Sequence, residues 1–160
     1  MTLFNFKTTS DISNWKIVDD VVMGGRSNGS FGLTNAGYGS FHGHVSLENN
    51  GGFSMVKYTF DTKHVEGFSK VCLHIKGDGK TFQFRIKTSN HDEHSYVCQF
   101  YTSNDWEIIE IPFTTLYPTF RGRQLHMENY PGKQMEQIAF LIGNKKAESF
   151  KLEIERIELK

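Results

Sequence analysis

Apolar and polar residues alternate with a period of two along most of the chain, and no long stretch shows the period of a helix. Such alternation is typical of strands that bury one face and expose the other. The sequence therefore predicts an all-β protein with strands at residues 3–6, 15–18, 30–34, 39–47, 52–60, 70–76, 81–88, 95–101, 106–112, 137–142 and 150–159.

The clearest local unit is a predicted hairpin over residues 71–87, in which a turn at 77–80 joins two alternating runs. Pairing Lys76 with Thr81 would put the apolar residues of both runs on one face and the polar residues on the other. With strand 95–101 beside this hairpin, we expect a shallow polar ligand face made of His74, Gln83, Arg85, Gln99 and Tyr101. The alternative is an ordinary solvated sheet face, which antiparallel sheets commonly have.

The most unusual stretch runs from Asp19 to Ser27, where two aspartates and a pair of glycines flank apolar residues. Glycine permits backbone angles that other residues resist. Two interpretations stay open: the carboxylates bind a cation or a partner's hydrogen-bond donors, or they cap backbone amides in a rigid corner. A nucleotide-binding loop fits less well, because the stretch has no phosphate-loop motif and no following helix.

Two further segments carry polar groups suited to contact with a partner. Asn49 and Asn50 lie in a predicted strand-to-strand turn, because asparagine and glycine tolerate positive φ. Arg121 and Arg123 lie in segment 113–133, which is predicted to be a long loop, and their guanidinium groups suit carboxylates or phosphates. Internal salt bridges are the alternative role for these arginines. The predicted partner-contact residues are Asp19, Asp20, Arg26, Ser27, Asn49, Asn50, Arg121 and Arg123.

Length and charge narrow the class of protein. A chain of 160 residues predicts a single domain over residues 1–160. Lysine and arginine together number 18 and are balanced by 18 acidic residues, so no net field attracts nucleic acid. No segment has the length of a membrane span, and residues 1–10 show neither a signal nor a transit pattern. We therefore expect a cytoplasmic protein without a nucleic-acid partner or an integral membrane segment.

Catalytic and metal chemistry have no positive support in the sequence. Cys72 and Cys98 lack CxxC spacing and are expected to be reduced, partly buried thiols. The histidines form only loose pairs without a third ligand, and no nucleophile or metalloprotease motif is present. The sequence thus predicts no enzyme, no metal and no cofactor. Trp15 and Trp106 are expected to anchor the core, which argues against an exposed sugar-binding platform.

A set of motifs follows in fixed order, at residues 15–27, 41–53, 77–79, 111–113, 120–123, 138–142 and 150–154, together with Trp106. In combination they resemble the complex I intermediate-associated protein family over nearly the whole chain. The resemblance implies a jelly-roll β-sandwich of the galactose-binding-like kind, similar to carbohydrate-binding modules. Mitochondrial members of that family assist assembly of respiratory NADH dehydrogenase without catalysis, so the resemblance also implies protein partners such as respiratory-chain subunits.

Two functional hypotheses follow. The first is a non-catalytic binding module, namely a protein-binding assembly or chaperone-like factor that uses the turns described above. The alternative is a carbohydrate-binding module in which the polar face of the sandwich binds a glycan. In that case Gln83, Arg85 and Gln99 would hydrogen-bond the sugar and Tyr101 would stack under it.

Overall fold

The computed structural model describes residues 1–20 and 24–160. The 3-10 turns Glu48–Asn50 and Phe113–Thr115 accompany the strands. In the described residues thirteen strands follow one another: β1 Thr2–Asn5, β2 Trp15–Asp19, β3 Asn28–Leu33, β4 Gly39–Val45, β5 Ser54–His64, β6 Lys70–Lys76, β7 Thr81–Lys87, β8 Ser95–Tyr101, β9 Trp106–Pro112, β10 Tyr117–Phe120, β11 Arg123–Gln124, β12 Gln134–Ile142 and β13 Glu148–Leu159.

The strands form two antiparallel sheets that pack face to face, which confirms the predicted all-β sandwich. Sheet A has the order β3-β4-β13-β6-β9, with β1 also paired to β13, and sheet B has the order β11-β10-β8-β7-β12-β5-β2. The inward residues of both sheets make one aromatic and aliphatic core. Phe82 of sheet B meets Phe150 of sheet A at 6.4 Å between ring centroids, and Phe150 in turn meets Phe41 at 4.8 Å.

The predicted hairpin over residues 71–87 is wrong. Strand β6 pairs with β13 and β9 in sheet A, whereas β7 pairs with β8 and β12 in sheet B. The turn Gly77 to Lys80 therefore carries the chain from one sheet to the other. Leu73 and Phe84 both point inward and are fully buried, as the alternation predicts, but they belong to opposite layers. Alternation specifies the face of a sheet on which a residue lies, but it does not specify which strand lies next to that residue.

The prediction of a long loop over residues 113–133 is also wrong in part. Strand β10 pairs with β8, and the short β11 folds back on β10 at the edge of sheet B. Pro118 lies inside β10 opposite Tyr96. Because proline lacks an N–H donor, it is normally confined to edge strands and strand starts, so its presence weakened the strand signal in the sequence.

The two ends of the described chain lie close together in sheet A. The amino group of Met1 donates to the carbonyl of Leu159 at 3.0 Å, and the Leu159 N–H donates back to the Met1 carbonyl at 2.7 Å. Strand β13 has β6 on one side and β4 followed by β1 on the other. The longest strand of the fold thus holds both ends of the chain.

At the edge where β2 and β3 face each other, two carboxylates connect the sheets. Asp19, the last residue of β2 in sheet B, accepts a hydrogen bond from the Gly29 N–H of β3 in sheet A at 2.8 Å. Its other oxygen accepts the Ser54 hydroxyl of β5. Asp20 follows and is 1% exposed. This pair, which we call the aspartate clamp, therefore holds the two layers together through directional bonds.

The Asp20 carboxylate accepts four hydrogen bonds from two separate segments. Oδ1 accepts the Ser27 N–H at 3.0 Å, and Oδ2 accepts the Ser27 hydroxyl at 2.6 Å. Oδ2 also accepts the N–H groups of Gly52 at 2.6 Å and Phe53 at 3.2 Å. Burial by itself would raise the pKa of Asp20, but the bonds from Ser27, Gly52 and Phe53 outweigh it and lower that pKa below its usual value of 3.8. The carboxylate is therefore charged at neutral pH.

Two glycines let the backbone approach this carboxylate. A Cβ added at Gly25 would lie 2.3 Å from Asp20 Cγ, and one at Gly51 would lie 2.5 Å from Asp20 Oδ2. Asn49 and Asn50, just before Gly51, have φ of 54° and 59°, in the left-handed region that asparagine tolerates. Of the two interpretations of the acidic stretch, the rigid corner is the one that the hydrogen bonds support. Residues 21–23 lie outside the described part of the chain.

We predict that Gly77→Ala lowers the free energy of unfolding by about 1–3 kcal/mol, the usual cost of overpacking. A Cβ at Gly77 would lie 2.2 Å from Cβ of Thr102. The Thr102 hydroxyl donates to the carbonyl of Lys80, in the same turn between the two sheets. The matched control is Gly32→Ala, because no atom lies within 4 Å of a Cβ there. Urea unfolding of both variants is the measurement. Equal free energies of unfolding for Gly77→Ala and Gly32→Ala would contradict tight packing in the turn between the two sheets.

We predict that Asp20→Asn costs about 2 kcal/mol, because its amide nitrogen would face backbone donors in place of an anionic acceptor. The lowered pKa of Asp20 gives the wild type stability that is present above pH 3.8 and lost as the pH falls below it. Thermal unfolding between pH 7 and pH 2.5 should therefore show a steeper acid loss in the wild type than in Asp20→Asn. Asp105→Asn, in an exposed loop, is the control and should follow the wild type.

Candidate functional site

The structure separates the predicted partner-contact residues into two groups at opposite edges of sheet B. Asp19 and Asp20 form the aspartate clamp and Ser27 donates to Asp20, so the polar atoms of these three residues are engaged within the fold. Arg26, Asn49 and Asn50 surround that corner and are exposed. Arg121 and Arg123 are exposed at the β10–β11 turn, where Arg121 has a φ of 51° and lies 5.2 Å from the Phe120 ring centre. The eight residues do not form one continuous surface.

Four of the five predicted ligand-face residues do lie together, on the outer face of sheet B. Gln83 of β7 is directly opposite Gln99 of β8, and Thr81 is opposite Tyr101. Arg85 lies two residues from Gln83 on the same strand and donates from Nη1 to Gln83 Oε1 at 3.0 Å. Tyr101 is 75% exposed. Alternation along each strand predicts that these side chains point outward. They lie together because β7 and β8 are neighbours, as expected.

The placement of His74 on that face is wrong. His74 lies on the outer face of sheet A, on the far side of the sandwich, because β6 and β7 do not share a sheet. Its Nε2 is 2.8 Å from Glu158 Oε1, and that oxygen also accepts from Arg156 Nε at 2.9 Å. The bond from Arg156, followed by the contact with His74, lowers the pKa of Glu158. His74 is therefore part of a charged network on β6 and β13.

The outer face of sheet B also carries Lys57, which the sequence argument did not identify. Lys57 of β5 and Arg85 lie on either side of Ala139 in β12, and Lys87 follows Arg85 on the same face. Burial lowers the pKa of Arg85, while the nearby Tyr117 opposes this change. Burial also lowers the pKa of Lys87, and the positive charges of Lys57 and Arg85 add to the effect. Period-two alternation places Lys57 outward, but the long-range pairing of β5, β12 and β7 is not visible in the sequence.

A second exposed feature is the edge strand β9 of sheet A. Trp106 was expected in the core, yet it is 41% exposed, because the outward row of β9 contains Trp106, Ile108 and Glu110. Ile108 is 58% exposed, and the ring of Tyr38 lies 4.5 Å from that of Trp106. Trp15 does anchor the core, stacked between Phe31 and Tyr58. The sequence argument against an exposed tryptophan thus holds for Trp15 alone.

Neither a metal centre nor a membrane-spanning helix is found in the described residues. Within residues 1–20 and 24–160, no group of three or more histidine, cysteine, aspartate or glutamate side chains is placed to hold a metal ion. In the same part of the chain, no helix is long and apolar enough to cross a membrane. The two cysteines are free thiols, Cys72 buried and Cys98 partly exposed.

Solved structures with this architecture include carbohydrate-binding modules. A family 11 module of a cellulosomal cellulase from Clostridium thermocellum superposes with a TM-score of 0.71 at 18% identity, covering 99% of this chain and 92% of the module. A family 11 module from the same organism, in complex with a mixed-linked tetrasaccharide, superposes with a TM-score of 0.68 at 18% identity, covering 94% and 91%. At this identity the likeness shows the fold, and it confirms the jelly-roll, galactose-binding-like sandwich.

Sequence comparison reaches a curated protein and a family. The Drosophila melanogaster protein named Complex I intermediate-associated protein 30, mitochondrial, is 25% identical over 182 aligned residues, covering 98% of this chain. The chain spans 62% of the length of that relative. Residues 4–154 match the family described as Complex I intermediate-associated protein 30 (CIA30). With the sandwich fold in agreement, this match over most of the chain shows that the chain belongs to the CIA30 family.

Proposed function

We propose that this domain is a non-catalytic protein-binding module that acts as an assembly factor for a respiratory complex. The name of its family, and that of the Drosophila relative, point to association with complex I intermediates. The observation in the structure that supports the proposal best is the exposed apolar pair Trp106 and Ile108 in the outward row of β9. The cytoplasmic location expected from the sequence stays a prediction.

Strand β9 has the properties of a protein-docking edge. In the described residues it pairs only with β6, so its other side has backbone donors and acceptors available to a partner strand. Trp106 and Tyr38 offer aromatic surface of the kind that dominates interface energetics, and Ile108 extends it with an aliphatic side chain. A protein partner can bury all three, whereas a sugar ring would gain little from Ile108. The row therefore favours a protein over a glycan.

We expect a tagged copy to recover subunits of respiratory NADH dehydrogenase from a lysate of its own host, identified by mass spectrometry. The double variant Trp106→Ser/Ile108→Ser should lower that recovery by about tenfold or more, because truncating an interface anchor commonly costs 2 kcal/mol or more. The matched control is Leu47→Ser/Met127→Ser, which removes two other exposed apolar side chains. A variant Arg121→Ala/Arg123→Ala tests whether the β10–β11 turn adds to the contact.

Three outcomes would contradict parts of this proposal. Recovery of no respiratory subunit by the wild type would refute the assembly role. Equal recovery by the Trp106 and Ile108 variant would refute β9 as the contact. A stable homodimer of the wild type in light scattering, converted to a monomer by the same variant, would show that a second copy of the chain covers this edge.

The alternative function is glycan binding on the outer face of sheet B. Gln83 and Gln99 present amide groups side by side there, and Tyr101 is well exposed next to them. Amides and an aromatic ring are the groups that neutral sugars commonly contact. Calorimetric titration with a panel of neutral oligosaccharides tests this function, with Tyr101→Ala as the variant. Flat titrations would exclude it.

A further inference from the structure

One straight row of outward side chains crosses six strands of sheet B. The register aligns Lys16 with Lys57, Lys57 with Ala139, and Ala139 with Arg85. Since neighbouring strands lie about 4.8 Å apart, the row runs about 14 Å from Lys16 to Arg85. In strand order β2, β5, β12, β7, β8 and β10, the complete row is Lys16, Lys57, Ala139, Arg85, Val97 and Tyr117.

No acid lies in this row or in the two rows that flank it to balance its positive charge. The ion pairs in the described residues involve none of Lys16, Lys57, Arg85 and Lys87. Asp92 and Glu93, in the loop after β7, are the acids close enough to influence Lys87, whose ammonium donates to the Asp92 carbonyl at 2.7 Å. The flanking rows, which contain no acid, are Val18, Met55, Leu141, Gln83 and Gln99 on one side and Thr59, Gln137 and Lys87 on the other.

Arg85 is the best-organised group in the row. Its Nη1 donates to Gln83 Oε1 at 3.0 Å, which fixes the orientation of the planar guanidinium group. A guanidinium group has five N–H donors, and this is the one hydrogen bond that Arg85 makes to the described residues. It is partly buried, so an anion bound there would meet less competition from water than at an open surface. Two parallel bonds to one carboxylate are the pairing that this geometry favours.

We propose that the outer face of sheet B binds an extended, acidic segment of a protein partner, whose carboxylates lie along the row from Lys16 to Arg85. The inference that the ligand is part of a protein rests on the protein-binding function proposed above. The inference that the ligand is acidic rests on the row itself, because carboxylates pair with guanidinium and ammonium groups.

The spacing of the row suits a peptide. In an extended chain, side chains on one side repeat about every 6.6 Å, so three acids at alternate positions span about 13 Å. This length matches the distance of about 14 Å from Lys16 to Arg85, and long lysine side chains can adapt to the difference. An acidic glycan fits less well, because the aromatic ring within the row, Tyr117, is half-buried, and Tyr101 lies two rows away, opposite Thr81. A peptide needs no stacking surface.

The test is a titration of purified protein with fluorescein-labelled hexaglutamate, followed by anisotropy at low and high salt. We expect saturable binding that weakens as salt rises, because exposed charge pairs are screened. Lys57→Gln/Arg85→Gln should weaken binding by about tenfold or more, since each charge-assisted hydrogen bond that is lost contributes substantially to the binding free energy. Arg85→Lys keeps the charge but loses the paired donors. Its affinity for hexaglutamate should therefore lie between that of the wild type and that of Lys57→Gln/Arg85→Gln. Thermal unfolding of each variant checks that it is folded.

The matched control is Lys146→Gln/Lys151→Gln, which removes two exposed positive charges near the start of β13 in sheet A. An equal loss of binding in that control would show non-specific attraction and overturn the proposal. Absence of saturable hexaglutamate binding would overturn it as well. Binding of oligogalacturonate but not of hexaglutamate, lost in Lys57→Gln/Arg85→Gln, would replace the acidic peptide by an acidic glycan. Because the titration needs no host partner, its failure is distinguishable from failure of the pull-down.

Discussion

The aspartate clamp is the constraint on which the arrangement of the two sheets depends. The core between the sheets is held mainly by apolar contacts, which are strong in sum but have little directional preference. Asp19 and Asp20 supply the direction, because their four oxygens accept donors from segments on both sides of the sandwich. These donors lie within two residues of the first residues of β3 and β5. Without an anion at this place, several buried N–H groups would lose their acceptor at once.

A net charge of zero conceals a strong asymmetry between the two outer faces. On sheet A, acids and bases alternate and neutralise one another, as in the Lys151–Glu153 and Arg156–Glu158 pairs. On sheet B, the cations of β5 and β7 stand together, and Gln83 is the neutral acceptor that orients one of them. Composition alone therefore excludes a long-range field but says nothing about a local one. The register of the strands concentrates the charge.

The sequence was sufficient for properties that depend on one strand at a time. Alternation predicted that Leu73 and Phe84 point inward and that Gln83 and Gln99 point outward, because the side-chain period is a property of the extended backbone. It failed where the partner strand matters: β6 and β7 were joined in one sheet, and His74 was placed on the wrong face as a result. Trp106 was assigned to the core on composition, yet its register position on an edge strand exposes it. Pairings between distant segments decide these cases.

The meeting of the two chain ends on β13 has a practical consequence for protein architecture. Because Met1 and Leu159 exchange hydrogen bonds, chain segments attached before and after this domain would depart from almost the same point. The domain can therefore be inserted into a surface loop of another protein without forcing that loop apart. It can also be circularly permuted with a short linker. In either arrangement the outer face of sheet B lies on the opposite layer from the junction and would remain accessible.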